Sequence, residues 1–421
     1  MRINILMLSL GLMALSSCSV RDDDTIHVQA EPEDNSPVLI QLGSGQNIGI
    51  SRATIESEDD GRFSSDSLGV FMLARMKTAI NPETDPLTWT PGSVYQADVA
   101  KLDNEWALVN KENGRIFFRN KDGEDYGEIT YHYYPIDNWY AYRFYAYQPF
   151  RTDDKVTVGD DDQRMVHYTD LDGTQDIICG STPLTLNEQP LNELAYCSRY
   201  FHMNGHTEEV PNIAFKHMQM RLQFYLVGEG DTTWTDPVNH PEEYTISYSE
   251  CDDMVLTELC ILSVPTTADL TVANFDGTEP TLVYDWNGPK ADLYLRDRDA
   301  VVQPGEEEPR LSPVAVNGAL TETTRENGVI TGEDNTEKLP VGMPVMLPHD
   351  KTGVYQVSMK FESQSSGDKF TVHRIDLRPN NPYQPGKTYK IKIKVGSPQK
   401  VSVTATLAGW EDDGEGELIL N

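Results

Sequence analysis

Between residues 218 and 407 the chain repeatedly sets an apolar side chain at every second position, a rhythm that only an extended strand with one buried face can use. Met218, Met220, Leu222, Phe224 and Leu226 alternate with Gln219, Arg221, Gln223 and Tyr225. Tyr355, Val357, Met359 and Phe361 alternate with Gln356, Ser358 and Lys360. Tyr389, Ile391, Ile393 and Val395 alternate with Lys390, Lys392 and Lys394, and Val401, Val403, Ala405 and Leu407 with Ser402, Thr404 and Thr406. Strands of this kind pair antiparallel, with one face on a core and the other in water. Shorter aromatic and β-branched runs at 68–73, 115–118 and 140–147 read as strands too. Turn signals separate the runs: Asn113-Gly114, Asp122-Gly123, Asn317-Gly318, Asn327-Gly328 and Pro385-Gly386. Helical spacing is scarce, and its best stretch, 191–200, predicts one short helix. Many short strands with frequent turns predict an all-β chain built of sandwiches.

A length of 421 residues suits two domains, and 38% hydrophobic residues can fill a core in each. The polar stretch 200–211 is followed by a strong strand, which places the boundary near 208: an N-terminal sandwich over 46–208 and a C-terminal one over 209–421. The stretch 302–313, with Pro304, Gly305, Glu306, Glu307 and Glu308, reads as a long loop of the second domain. The formal net charge is −33, from 34 Lys and Arg against 67 Asp and Glu. Such a surface repels phosphate backbones, so nucleic acid is not expected as a partner, and it favours solubility outside the cell.

The first 17 residues read as a secretory signal: Arg2 is followed by an apolar run over 5–15 that is too short to span a bilayer. The run ends in Leu15-Ser16-Ser17-Cys18, which resembles a lipobox and makes Cys18 the lipid-bearing first residue of the mature chain. No later segment approaches the 18 apolar residues of a membrane span, so the lipid is the expected hold on the outer membrane. Ser19-Val20-Arg21-Asp22-Asp23-Asp24 looks like the tag that sends lipoproteins of Bacteroides-type bacteria to the cell surface. Residues 18–45, polar and Pro-containing, read as a tether or leader. Beyond Cys18, an oxidising compartment permits disulfides among Cys179, Cys197, Cys251 and Cys260. A 251–260 hairpin bridge and two free buried thiols are both open, and no spacing suits a metal.

Motifs for chemistry are weak. Asp170-Leu171-Asp172-Gly173-Thr174 matches the signature of haloacid-dehalogenase-type phosphatases, but that nucleophile must follow a buried parallel strand in an α/β fold. Asp160, Asp161 and Asp162 read as a solvated turn before they read as a calcium loop. His202 and His206 flank Asn204-Gly205, which breaks the helix a zinc pair would need, and His217 reads as a packed or edge residue. No nucleophile elbow, P-loop or dinucleotide fingerprint is present. No catalytic residue, metal or cofactor is therefore expected. Tyr131, Tyr133, Tyr134, Trp139 and Tyr140 offer rings for core filling or for stacking on a glycan.

The order of several motifs resembles the fimbrillin family, the Mfa-like group of pilus subunits. After the lipobox come Ser51-Arg52-Ala53-Thr54 and Ser67-Leu68-Gly69-Val70-Phe71. Then follow the aromatic strand 142–149 ending in Tyr147-Gln148-Pro149, the strand 215–222, and the tail from Tyr383-Gln384-Pro385-Gly386 to Gly409-Trp410. The resemblance implies two transthyretin-like Greek-key β-sandwiches in tandem, export as a lipoprotein, cleavage by an Arg-specific protease and assembly by β-strand exchange. Carried onto this sequence, Arg52 is the processing position. The C-terminal residues Val401, Val403, Ala405, Leu407, Leu418 and Leu420 are the candidate donor strand, interrupted by the acidic run 411–417. The expected partners are other fimbrial subunits, the outer membrane through the lipid, and a host or bacterial glycan or protein. The rival expectation is a monomeric glycan-binding surface lipoprotein.

Overall fold

The alternating runs form strands in a computed structural model of the chain. It describes residues 36–44, 67–76, 102–110, 113–136, 140–159, 163–182, 185–186, 189–190, 196–202, 209–228, 231–233, 245–247, 253–273, 279–297, 310–316, 325–326, 329–330, 340–349, 354–377, 382–397, 400–409 and 415–416. The all-β expectation holds. Among the described residues helical structure is confined to the five-residue helix Ser198–His202, the 3-10 turn Asp153–Lys155 and a single 3-10 position at Asp253. Of the helix predicted over 191–200, residues 191–195 lie outside the described residues; Tyr196 is in a turn at φ 43°, and the helix begins at Ser198. Tyr196, Tyr200 and Phe201 plug the core there, the last two from the helix itself.

A seven-stranded antiparallel sheet runs in the order Leu42–Gly43, Arg115–Phe118, Glu105–Val109, Ser67–Met76, Tyr140–Gln148, Ile178–Ser181, Ala214–His217. Its two central strands pair from Gly69↔Tyr147 to Met76↔Tyr140 and are buried on both faces. On one face Val70, Met72, Tyr142, Phe144 and Ala146 join a core with Ile116, Phe118, Tyr134, Tyr196 and Phe201. On the other, Phe71, Leu73, Tyr145 and Tyr147 meet Val166, Tyr168, Leu270 and Val272 of a four-stranded sheet. Double burial explains why 68–73 and 142–147 are continuous apolar and aromatic runs, with little of the alternation of half-buried strands.

The four-stranded sheet orders Thr281–Tyr284, Ala268–Ala273, Arg164–Tyr168, Val156–Val158. Sheet membership thus crosses residue 208. Ala214–His217 completes the first sheet, and Ala268–Ala273 pairs with Arg164–Tyr168 through Ala268↔Tyr168 and Leu270↔Val166. Ten of the remaining strands form two five-stranded sheets facing each other over a single core, and six form three two-stranded ribbons. One carries Met220–Gly228 between Pro340–Leu347 and Lys387–Ser397, the latter in parallel register from Arg221↔Thr388 to Gly228↔Val395. The other carries Met254–Pro265 between Lys290–Tyr294 and Tyr355–Ser363, with Lys369–Leu377 beyond the latter. Met220, Leu222, Phe224, Ile391 and Ile393 meet Leu256, Ile261, Val357, Met359 and Phe361 across the gap. These are the residues whose alternation identified the strands.

Cys179, Cys197 and Cys260 are buried and form no disulfide, so a 251–260 bridge is not made. Burial pushes the Cys260 thiol up to about 11, which keeps it protonated and inert. Among the described residues no helix is long and apolar enough to cross a membrane.

Phe144 is fully buried and packs edge-on against Tyr134 and Tyr196. Phe144→Ala should cost roughly 3–5 kcal/mol, read as a lower midpoint in urea unfolding. Val283→Thr, on an exposed face, should move it by less than about 0.5 kcal/mol.

Candidate functional site at the seat of the leader strand

Residues 36–44, inside the stretch expected to be a tether, are extended chain built into the core. Ile40 and Leu42 are 4% and 1% exposed, and Val38 packs against the same cluster. The alternation Val38-x-Ile40-x-Leu42 is a strand signal only one turn of pleat long, hidden by the Pro-rich and acidic residues before it. The segment is hydrogen-bonded on both sides. On one side the Ile40 amide donates to the His132 carbonyl (2.8 Å) and the Tyr134 amide to the Val38 carbonyl (2.8 Å). Further along, Leu42 and Gly43 pair with Ile116 and Arg115, and the Ser44 amide donates to the Gly114 carbonyl at 2.7 Å. On the other side the Gly43 amide donates to the Pro211 carbonyl (3.0 Å) and the Ile213 amide to the Gly43 carbonyl (2.8 Å). His202 Nε2 lies 3.0 Å from the Ser36 carbonyl oxygen and ties down the start of the segment.

Residues 211–213 lead directly into Ala214–His217, the last strand of the seven-stranded sheet, whereas 115–116 belong to the strand at its opposite end. The leader segment therefore closes the curled sheet on itself. Closure removes two open edges, and burying two aliphatic side chains adds roughly 3–6 kcal/mol as an upper figure. The fit is close. A Cβ on Gly43 would meet the Asn212 side-chain oxygen at the parallel bridge Gly43↔Asn212, so a larger residue there requires that exposed side chain to turn away.

Beneath the seat lie two ionisable groups. Glu105 and His132 point toward each other at 3.9 Å with side chains 15% and 14% exposed, and His132 meets the Phe118 ring edge-on. Burial pushes the Glu105 carboxyl up to about 7, against the pull of Lys121, and burial lowers His132 below its usual range. At that distance no hydrogen bond forms, and both shifts favour neutral partners.

The outward surface beside the seat is apolar. Of eight exposed large hydrophobic residues among those described, six fall within 117–136: Phe117, Tyr126, Ile129, Tyr131, Tyr133 and Ile136. The bridges Arg119↔Ile129 and Leu39↔Tyr133 place this face next to the leader strand. Tyr131 and Tyr133 are 63% and 46% exposed, but Tyr134 fills the core at 3%. Trp139 and the side chain of Tyr140 lie outside the described residues.

Cys18, Arg52, Leu418 and Leu420 also lie outside the described residues. Arg52 follows the seated strand by eight positions beyond Ser44, so a cut there leaves 36–44 on the N-terminal fragment. Val401, Val403, Ala405 and Leu407 lie on Lys400–Gly409, which pairs along its length with Lys387–Ser397 and on its outer side only with Glu415–Gly416. His167 Nδ1 sits 2.6 Å from Asp269 and its Nε2 2.8 Å from the Thr157 hydroxyl, three groups in a row across the outer face of the four-stranded sheet. His167 and Asp269 are 33% and 52% exposed there, and the row is a cross-strand polar contact. No three His, Cys, Asp or Glu side chains converge to hold a metal among the described residues.

No family model and no curated protein matches the chain. Several solved structures are similar to it. A candidate cell adhesion protein from Bacteroides uniformis is 15% identical, covering 90% of this chain and 100% of that one at a TM-score of 0.42. The C-terminally truncated tip fimbrial protein Mfa3 from Porphyromonas gingivalis is 11% identical over 89% and 99%, at 0.30. A candidate adhesin from Bacteroides ovatus is 8% identical over 89% and 96%, at 0.26. The likeness is thus to cell adhesion and fimbrial proteins, and it is loose.

Leu42→Asp, which puts a carboxylate where Leu42 is 1% exposed, should unseat the leader strand. The Ile40 and Gly43 amides should then exchange much faster with deuterium, while those of the central strand Tyr140–Gln148 stay protected. Glu105 gives a pH signature. Its folded value lies above the ordinary carboxylate range, so its contribution is complete below about pH 4.5 and lost as pH rises through about 7. His132 works the other way, its contribution being lost as pH falls below about 6.5. Glu105→Gln should therefore remove the loss of stability between pH 5 and 8 seen by thermal melting, and leave the loss on the acid side.

Proposed function

We propose that this chain is a structural and adhesive subunit of a surface fimbria, exported as a lipoprotein through Cys18 and built from transthyretin-like Greek-key sandwiches. Cleavage after Arg52 frees the leader strand, and a strand from another subunit takes its place. The observation that carries this reading is the seated segment 36–44, a core strand on the N-terminal side of Arg52. Its loss would expose two backbone edges and the apolar sockets of Ile40 and Leu42. An extended strand with aliphatic residues two apart satisfies both by β-augmentation. Val401, Val403, Ala405 and Leu407, or Leu418 and Leu420, offer that spacing. The apolar face over Phe117, Ile129, Tyr131 and Tyr133 borders the seat and suits contact with the body of the arriving subunit. The role is not enzymatic in this reading, because no site residue is needed beyond anchor, cleavage point and strands.

Protein lacking residues 1–17 is treated with a limiting Arg-specific protease, followed by N-terminal sequencing and electrophoresis without boiling. The expected result is one cut after Arg52 and a ladder of detergent-resistant oligomers, both abolished by Arg52→Ala. A cut without a ladder assigns the chain to a tip or anchor that needs other subunits. Absence of a selective cut near Arg52 overturns the processing step and favours a monomeric glycan-binding lipoprotein.

A further inference from the structure

A cleft of about 640 Å³ opens where the turn 169–172 faces the strand Lys290–Tyr294, away from the strand seat. Its volume falls in the range of small-ligand sites, roughly 300–1,000 Å³. The phosphatase-like run Asp170-Leu171-Asp172-Gly173-Thr174 builds one wall. It follows Arg164–Tyr168, a strand paired antiparallel on both sides. Asp172 is locked: its carboxylate accepts the Thr174 amide at 3.0 Å and Arg296 Nη2 at 3.0 Å, and its amide donates to Gln175 Oε1 at 3.0 Å. Gly173 turns at φ +84°, and a Cβ there would press on Val345 and Leu293. Its carbonyl accepts the Met346 amide at 2.7 Å. The wall is thereby fixed to the sheet that carries Pro340–Leu347, and the cleft is pre-organised.

Its chemistry is mixed. Asp170 and Asp292 are exposed, with Asp292 Oδ1 accepting the Ser263 amide at 2.9 Å; Arg296 and Arg310 bring guanidinium groups that are also paired with Asp172 and Glu258; and Thr169 and Thr266 add hydroxyls. Tyr294 supplies a half-buried ring with the Arg310 guanidinium 4.1 Å from its centroid. Carboxylate acceptors beside guanidinium donors suit hydroxyl groups, each of which both gives and takes a hydrogen bond. The two exposed carboxylates, on a chain of net charge −33, disfavour an anion.

We propose that this cleft, through Asp170, Asp292, Tyr294, Arg296 and Arg310, binds a neutral saccharide. It gives the adhesive part of the function above a location and rests on that part alone, since strand exchange uses none of these residues. The test is saturation-transfer NMR on the uncleaved mature chain with lactose, cellobiose, maltose and mannobiose in turn. Transfer to at least one is expected, with binding about tenfold weaker in Asp292→Asn and Tyr294→Ala and unchanged in Tyr131→Ala. Asp170→Asn, an exposed position, replaces Tyr294→Ala if that variant does not fold. Transfer to none of these sugars, transfer only to glucuronate or glucosamine, or transfer lost in Tyr131→Ala but kept in both cleft variants overturns the assignment. A ladder after Arg52 cleavage with no sugar bound would leave the structural role standing and remove the cleft.

Discussion

A curled β-sheet that does not close leaves two rows of unpaired backbone groups and an apolar interior open to water. Here residues 36–44 fill that gap, bonding to 132–134 and 114–116 on one side and to 211–213 on the other. The core around Phe144, Tyr134, Tyr196 and Phe201 is sealed by Ile40 and Leu42 from this strand. The segment is local in sequence to nothing it touches, so its seat is defined almost wholly by partners 70 to 175 residues away. A strand held by side-chain sockets and main-chain bonds alone can be replaced by another of the same spacing.

The rest of the first sandwich follows from the same sheet. Because its outer face is covered by Val166, Tyr168, Leu270 and Val272, its central strands are buried twice and cannot move without breaking two cores. The second sandwich is joined by the turn at Asp172, whose ion pair with Arg296 and whose Gly173 carbonyl connect strand Arg164–Tyr168 to Pro340–Leu347. The parallel pairing of Met220–Gly228 with Lys387–Ser397 ties the start of that sandwich to its last strands. Candidate donor residues 401–407 therefore begin in a complete sheet, next to the only strand edge that Glu415–Gly416 covers in part.

Some features were plain in the residues. Strict alternation marked strands at 220–226, 355–361, 389–395 and 401–407, and each is found as a strand; Met218 precedes Met220–Gly228 and packs in the other core. The turn glycines Gly114, Gly123 and Gly386 sit at positive φ, where the sequence had placed turns. Less was legible where burial is double or where a strand is very short. The rings at 131–134 divide between surface and core, Tyr131 and Tyr133 outward and Tyr134 inward, a choice that composition does not reveal.

The sequence by itself determined the class of fold, because a period of two can be satisfied only by strands and each strand carries its own record of which face is dry. It also determined the acidic surface and the lipobox-like start. Only the tertiary structure decided that 36–44 is a core strand rather than a tether, that 268–284 joins the first sandwich, and that Asp170 and Asp172 line a cleft. These depend on which distant edges lie open to receive a segment. That is a property of closed sheets and packed layers, and no stretch of residues encodes it locally.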